Sequence, residues 1–444
     1  MRLVTFGIFL ILCMLKVIEW SMRWYLLGAL LLFLAVKGLY VLILAGRNVN
    51  QLKEKKIKEK EVKEKEVKEK PLKVRQEKPF RPGKTILKAI AMVLLFAVAL
   101  VPAFLFPQYK PLQLTGSYQV ATAQITFTSD TIKDYFTGGK RQVNVGFWYP
   151  KDGNEKYPLL VFSHGAFGIK KSNISAFEEL ASHGYVVCSI DHPGHSFYTE
   201  STDGQRVIVD RTFINEVRNA NKDTYYTKAE GYELVKKWMK IRTEDMNLTI
   251  DTILKNVEEM NTASNLQAQE KDKSKLYQSI DRSKIGVFGH SMGAAASVQI
   301  GRERKDVGAV INIDGPYFSE MTYDANQNEY VATREQYNTP ILNIYSDQVW
   351  VQLQDGTDTG SYAGNKISNQ ICKESYDVYL KGTKHLTLTD LSLVSPFLTN
   401  LLNGEAAKVD VKKSIEFENR IILEFFNATL KGEGAFTYDG VYEQ

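Results

Sequence analysis

The chain has 444 residues, 44% of them hydrophobic and 24% charged, with a net charge of +5 and three cysteines. That length leaves room for one large domain plus appendages, and three cysteines, Cys13, Cys188 and Cys372, do not make a disulfide framework. The apolar fraction is ordinary; its distribution along the chain is not.

Apolar runs cover residues 3–18 and 24–45, separated by Glu19-Trp20-Ser21-Met22-Arg23, and a third covers 85–106. A bilayer core of about 30 Å needs about 20 apolar residues at a rise of about 1.5 Å each. The second and third runs reach that length, whereas the first is short and carries Lys16 near its end. The expectation is two transmembrane helices within 1–46 and a third at 85–106, with an interfacial first helix as the alternative. No small-x-small cleavage site follows the first run, which argues against a cleaved signal peptide.

Between the second and third runs lies a charged segment, 47–84, with 15 lysines and arginines against 7 glutamates, so the rest of the chain is slightly acidic. It reads as a solvated helix: Glu precedes Lys by four residues at 54/58, 59/63, 61/65, 64/68 and 66/70. Ile57, Val62, Val67 and Leu72 recur every five residues and so walk around a helix, which argues against a coiled coil. Glutamates interleave with the basic residues and aromatics do not, Phe80 standing alone near the end, which argues against nucleic acid as a partner. Loops rich in Lys and Arg stay cytoplasmic. With three spans, the N-terminus is then cytoplasmic and everything after Phe106 lies outside the cell membrane.

Residues 107–444 read as one α/β domain. Strand-like segments at 117–127, 142–149 and 158–163, a helix near 172–183 and the strand Tyr185-Val186-Val187-Cys188-Ser189-Ile190 alternate as a mostly parallel sheet with helices on both faces requires. Asp191-His192-Pro193-Gly194-His195 could hold a metal, but no third ligand stands at suitable spacing, and the loop reads as a pocket wall. From about 199 to 279 the chain carries a helical insertion, with helices expected at Tyr225–Ile241 and Glu244–Met260. The part before the second helix reads as a lid over a site. Val411–Leu430 is the closing helix, and the tail from Gly432 reads as peripheral. A Cys188–Cys372 bridge stays open.

The chemistry centres on Gly289-His290-Ser291-Met292-Gly293, between the apolar Lys284–Phe288 and the helix-forming Ala294-Ala295-Ala296. Strand, tight turn and helix are the setting in which G-x-S-x-G presents a serine nucleophile, here Ser291. A serine hydroxyl needs a base, and the order Ser, acid, His leaves His385 as the one histidine after Ser291. Two aspartates close strand-like segments between them, Asp314 and Asp347, and spacing does not separate them. The oxyanion donors expected are the amides of Met292 and, in the loop Ser163-His164-Gly165-Ala166-Phe167-Gly168, of Ala166, with His164 bracing that loop.

The segments FSHGAFG (162–168), IDHPGH (190–195), IDRSKIGVFGHSMG (280–293), INIDGPYF (311–318) and KGTKHLTLTDL (381–391) resemble the platelet-activating-factor acetylhydrolase family, plasma and isoform II. The upstream segments 114–130 and 143–150 look like that family's opening strands, so the resemblance covers about 112–430. It implies the α/β-hydrolase fold and places the acid on the strand after the nucleophile's helix, at Asp314. It implies a serine carboxylic-ester hydrolase working through an acyl-enzyme without metal or organic cofactor, on short-acyl phospholipid or other amphiphilic esters. Bacterial relatives of the group include broad carboxylesterases and polyester hydrolases, so the family leaves the substrate open. An acyltransferase with the same triad and an inactive membrane-tethered binding module are the alternatives. Oligomeric state is not legible.

Overall fold

The computed structural model describes residues 1–62, 81–153, 155–222, 225–262 and 271–443, which form two units, Met1–Tyr109 and Lys110–Gln444. In the first unit, helix α1 (Arg2–Met14) is 13 residues long. At about 1.5 Å per residue it is about 20 Å long, short of a bilayer core. It ends in a Schellman turn: Lys16 takes φ 55°, its N–H donates to Cys13 O at 3.1 Å, and Val17 N–H donates to Leu12 O at 3.0 Å. Trp20 then folds back edge-on against Phe9.

Two helices among the described residues are long and apolar enough to cross a membrane. They are Met22–Arg47, the first part of α2 (Met22–Val62), and α3 (Pro82–Leu105). The expectation of three spans is thereby corrected to two helices of sufficient length. Residues 63–80, with Val67, Leu72 and the later Glu–Lys pairs of the charged segment, lie outside the described residues.

The second unit is built on a nine-stranded sheet. In chain order it has β1 (Val120–Lys133), β2 (Lys140–Pro150), β3 (Tyr157–Ser163), helix α4 (Ile174–Ser182) and β4 (Val186–Asp191). A small hairpin, β5 (Tyr198–Glu200) with β6 (Arg206–Ile208), follows, then helices α5 (Arg211–Ala220), α6 (Lys228–Thr262) and α7 (Lys271–Gln278). Next come β7 (Ile280–His290), α8 (Met292–Glu303) and β8 (Val307–Ile313), and the hairpin β9 (Met321–Asp324) with β10 (Glu329–Ala332). The last elements used below are β11 (Ile341–Tyr345), α9 (Asp347–Leu353), β12 (Ser375–Lys381), the closing helix Val411–Phe426 and β13 (Gly440–Glu443).

The strand order is β1-β2-β4-β3-β7-β8-β11-β12-β13, antiparallel at β1–β2–β4 and parallel from β4 onward. Because side chains alternate along a strand, β3 sends Leu159 and Val161 to one face and Leu160 and Phe162 to the other. The first face is covered by Met246, Ile250, Ile253 and Val257 of α6 and Val298 of α8. The second is covered by Phe177 of α4 and Ile421, Phe425 and Phe426 of the closing helix. Both strands are buried along their whole length, and burial on both faces is what makes their centres, Leu159–Phe162 and Val186–Cys188, unbroken apolar runs.

Three features differ from the expectations. The two helices expected in the insertion are a single helix, α6, since no Gly or Pro interrupts residues 240–246. Its inward face carries charge as well as apolar side chains: Arg242 and Asp245 are buried, and Asp245 takes Arg141 at 2.8 and 2.7 Å. The tail is not wholly peripheral, because Gly440–Glu443 pairs with β12 as the edge strand. Cys188 and Cys372 are free, buried thiols. Of the insertion, residues 223–224 and 263–270 lie outside the described residues.

Candidate active site

The sheet delivers its chemistry at the carboxyl ends of the parallel strands. β7 sits centrally between β3 and β8, and at its end Ser291 adopts φ 56°, ψ −124° before α8 begins. A positive φ is costly for a residue with a Cβ, and here the serine bears the strain, not its glycines. The glycines supply space instead. A Cβ on Gly289 would lie 2.4 Å from the Gly293 carbonyl carbon, and one on Gly293 would lie 2.0 Å from Ser163 O. The helix therefore sits hard against the ends of β7 and β3.

Gly293→Ala is expected to force β3 and α8 apart. The cost should be about 1–3 kcal/mol or more, read as a lowered unfolding temperature together with slower labelling of Ser291 by a fluorophosphonate. Wild-type values for both would disprove so close an approach.

The neighbouring strand contributes Asp314, fully buried, one residue past β8. Its Oδ2 receives His385 Nδ1–H at 2.7 Å and the Ser346 hydroxyl at 2.7 Å, while Oδ1 receives the Ser346 amide at 2.7 Å. Three donors on one carboxylate fix its orientation. His385 follows β12 across the turn at Gly382, φ 87°. Asp347 faces elsewhere: its Oδ1 accepts from Tyr379 Oη at 2.8 Å and from Gly382 N–H at 2.7 Å. It thus supports the turn that leads to His385 and does not touch the imidazole.

Two side chains to which the sequence assigns no role, Gln348 and His290, hold His385 in place. Gln348 Oε1 accepts its amide at 2.9 Å, and His290 Nε2–H donates to its carbonyl at 2.9 Å. Burial, with the nearby His385, pushes His290 down to about 3, so its ring is neutral. The two rings lie 4.5 Å apart between centroids, which sets His385 beside the residue preceding Ser291. Among the described residues, Ser291 Oγ and His385 Nε2 make no hydrogen bond, to each other or elsewhere. His290 and Gln348 adjoin Ser291 and Asp347 in sequence, and that adjacency was the one available signal.

The loop after β3 forms the opposite wall. A Cβ on Gly165 would stand 3.2 Å from Ser291 Cβ, so this loop passes directly beside the serine. Phe167, at φ 62°, donates its amide to His195 O at 3.1 Å, and Gly168 donates to Gly165 O at 3.1 Å. Among the described residues the amides of Ala166 and Met292 have no such backbone acceptor, and that of Met292 belongs to the first turn of α8.

With this geometry, a family profile described as platelet-activating factor acetylhydrolase, isoform II, matches residues 119–439. The chain belongs to that family. Among curated members, the platelet-activating factor acetylhydrolase of Cavia porcellus is 25% identical over 290 residues, 63% of this chain and 59% of that protein. That of Bos taurus is 24% identical over 286 residues, 62% of this chain and 58% of that protein. The chain thus spans about three-fifths of the length of these relatives. A solved ferulic acid esterase from Streptomyces cinnamoneus superimposes with a TM-score of 0.54 at 18% identity, covering 74% of this chain and 95% of that one. The fold is the α/β-hydrolase fold.

In this family member the remaining histidines have structural partners. His192 is fully buried, with Nδ1 at 3.0 Å from Asp245 and Nε2 at 2.8 Å from Ser163 Oγ. His195 stacks on Phe213 at 3.8 Å. His183 lies beside Glu179 at 3.2 Å. Among the described residues no His, Cys, Asp and Glu group has the arrangement of a metal site.

Proposed function

We propose that the chain is a membrane-anchored serine carboxylic-ester hydrolase that cleaves short-acyl phospholipid or other amphiphilic esters. The observation that carries this reading is the His385–Asp314 contact at 2.7 Å, set against the elbow that bears Ser291. Ser291 Oγ attacks the ester carbonyl while His385 Nε2 takes its proton, and Asp314 holds the other ring nitrogen as N–H. Amides of Ala166 and Met292 receive the oxyanion, the alcohol leaves with the proton from His385, and water releases the acyl group by the same steps. The Ser291–His385 hydrogen bond closes when substrate enters, as catalytic contacts commonly do.

The amphiphilic substrate class is supported by the names of the relatives and by the helix Pro396–Asn403. Asn403 Oδ1 accepts the amide of Leu386, next to His385, and the helix leaves Leu401 and Leu402 exposed as an apolar rim. Anchoring falls to Met22–Arg47 and Pro82–Leu105. The basic segment between them stays cytoplasmic, so two spans put both Met1 and the catalytic domain outside, a reversal for the N-terminus relative to three spans. The first helix then lies along the outer surface.

The test is hydrolysis by the full chain of p-nitrophenyl esters and of phospholipids with graded sn-2 acyl chains. kcat/KM should fall at least about tenfold from a two-carbon to a twelve-carbon acyl group, since each methylene a pocket discriminates is worth about 1–3 kcal/mol. Acyl transfer to an added alcohol outrunning hydrolysis would make the chain an acyltransferase. Failure to turn over any ester would leave it a binding module.

A further inference from the structure

Arg242 is fully buried on α6, a long way in sequence from the loop it touches. Its Nη1 donates to His164 O, its Nη2 to Gly165 O at 3.2 Å, and its Nε to His195 Nδ1 at 3.2 Å. These acceptors are all neutral. The adjacent carboxylate, Asp245, is taken by Arg141 at 2.8 and 2.7 Å and by His192 at 3.0 Å. A buried cation without a carboxylate bonded to it leaves its field for whatever negative charge develops nearby. Burial pushes Arg242 down to about 9, against the pull of Asp245, which still leaves it charged at neutral pH.

Gly165 O is the carbonyl of the peptide whose N–H belongs to Ala166, and it accepts a second strong donor. His164 Nδ1 lies 2.6 Å from it and must carry the proton, because a carbonyl only accepts. Burial holds His164 well below the usual range, so the ring is neutral, and its Nε2 accepts from Ser196 Oγ at 2.8 Å. Ser196 Oγ in turn accepts the amide of His192 at 2.8 Å. A chain of aligned hydrogen bonds and a guanidinium therefore converge on one peptide oxygen. Electron density drawn to that oxygen makes the N–H at the peptide's other end a stronger donor.

We propose that Arg242 is a positioning residue of the oxyanion hole, its guanidinium holding and polarising the Gly165–Ala166 peptide so that Ala166 N–H meets the developing oxyanion. This rests on the reading of Ala166 as an oxyanion donor. Losing an oxyanion donor outright costs about 100–1,000-fold in kcat. Arg242 acts one peptide removed, so Arg242→Gln should lower kcat by about 10–100-fold and leave KM within about threefold. Arg242→Lys keeps the charge but cannot fork across both carbonyls, and should lie between, about 3–10-fold below wild type.

The experiment uses the full chain, with active sites counted by the endpoint of fluorophosphonate labelling and kcat expressed per labelled site. Affinity for a trifluoromethyl ketone, whose adduct bears the oxyanion, should fall in step with kcat/KM. A residue that only held the fold together would reduce the number of labelled sites and leave each at wild-type kcat and ketone affinity, and that result overturns the proposal. If Arg242→Gln does not fold, Arg242→Lys decides by the same criterion: kcat per site within twofold of wild type overturns it. Wild-type protein that takes no label at all sinks the hydrolase reading itself, a different outcome from a labelled wild type whose Arg242 variants match it.

Discussion

Ser291→Ala is expected to lower ester hydrolysis by about a million-fold, close to the loss seen when a catalytic serine is removed from an intact triad enzyme. Fluorophosphonate labelling should vanish with it. The fold should not notice: Ser291 Oγ makes no hydrogen bond among the described residues, and alanine at φ 56° carries the same strain. Thermal unfolding should therefore shift by no more than about 0.5 kcal/mol equivalent. Loss of activity with stability kept separates a hydrolase from a domain that only binds. The residual rate, still above water, would come from the oxyanion amides and from substrate positioning, which the substitution leaves in place. Retained labelling would mean another nucleophile, and an unchanged rate would remove Ser291 from the chemistry.

The parts of this molecule that local sequence could reveal are those that depend on local rules. Apolar runs bounded by turns mark β3, β4, β7, β8 and β11, and their alternation with helices implies a parallel sheet. The order of Ser291, Asp314 or Asp347, and His385 along the chain follows from the few histidines present. What could not be read depends on contacts across the fold. Asp314 and Asp347 look alike because each follows a buried strand. The sheet distinguishes them: β8 pairs with β7, so Asp314 stands one strand from Ser291, while β11 lies one strand further out. Arg242 bears on the loop after β3 only because α6 packs over that face, a relation with no local signature. The first apolar run reads as a span by composition, yet Lys16 in a left-handed turn stops its helix at 13 residues. The edge strand Gly440–Glu443 is four residues long, too short for an alternating pattern to show.

Asp314→Asn and Asp347→Asn should separate by orders of magnitude in kcat. With Asp314 replaced, an amide faces His385 Nδ1 where a carboxylate accepted its N–H at 2.7 Å. The amide, still bonded to Ser346, favours the ring tautomer with its proton on Nε2, which cannot take a proton from Ser291. Loss of kcat by about 10,000-fold follows, with KM little changed. Asp347→Asn keeps an oxygen for Tyr379 Oη and Gly382 N–H and gives up only the charge. Lys384, 3.4 Å from Asp347, still has Glu405. Since the Asp347 side chain is 22% exposed, the expected cost is about 1 kcal/mol of stability and less than tenfold in kcat, through the turn that carries His385. Steady-state kinetics and thermal unfolding of both variants decide between the two aspartates. If Asp347→Asn is the variant that loses four orders of magnitude while Asp314→Asn stays active, the 2.7 Å contact in this structure is not the one that holds the working imidazole. The acid would then have to come from β11, which would require the loop after β12 to carry His385 across one strand spacing, about 4.8 Å, away from His290 and from the amide anchor at Gln348.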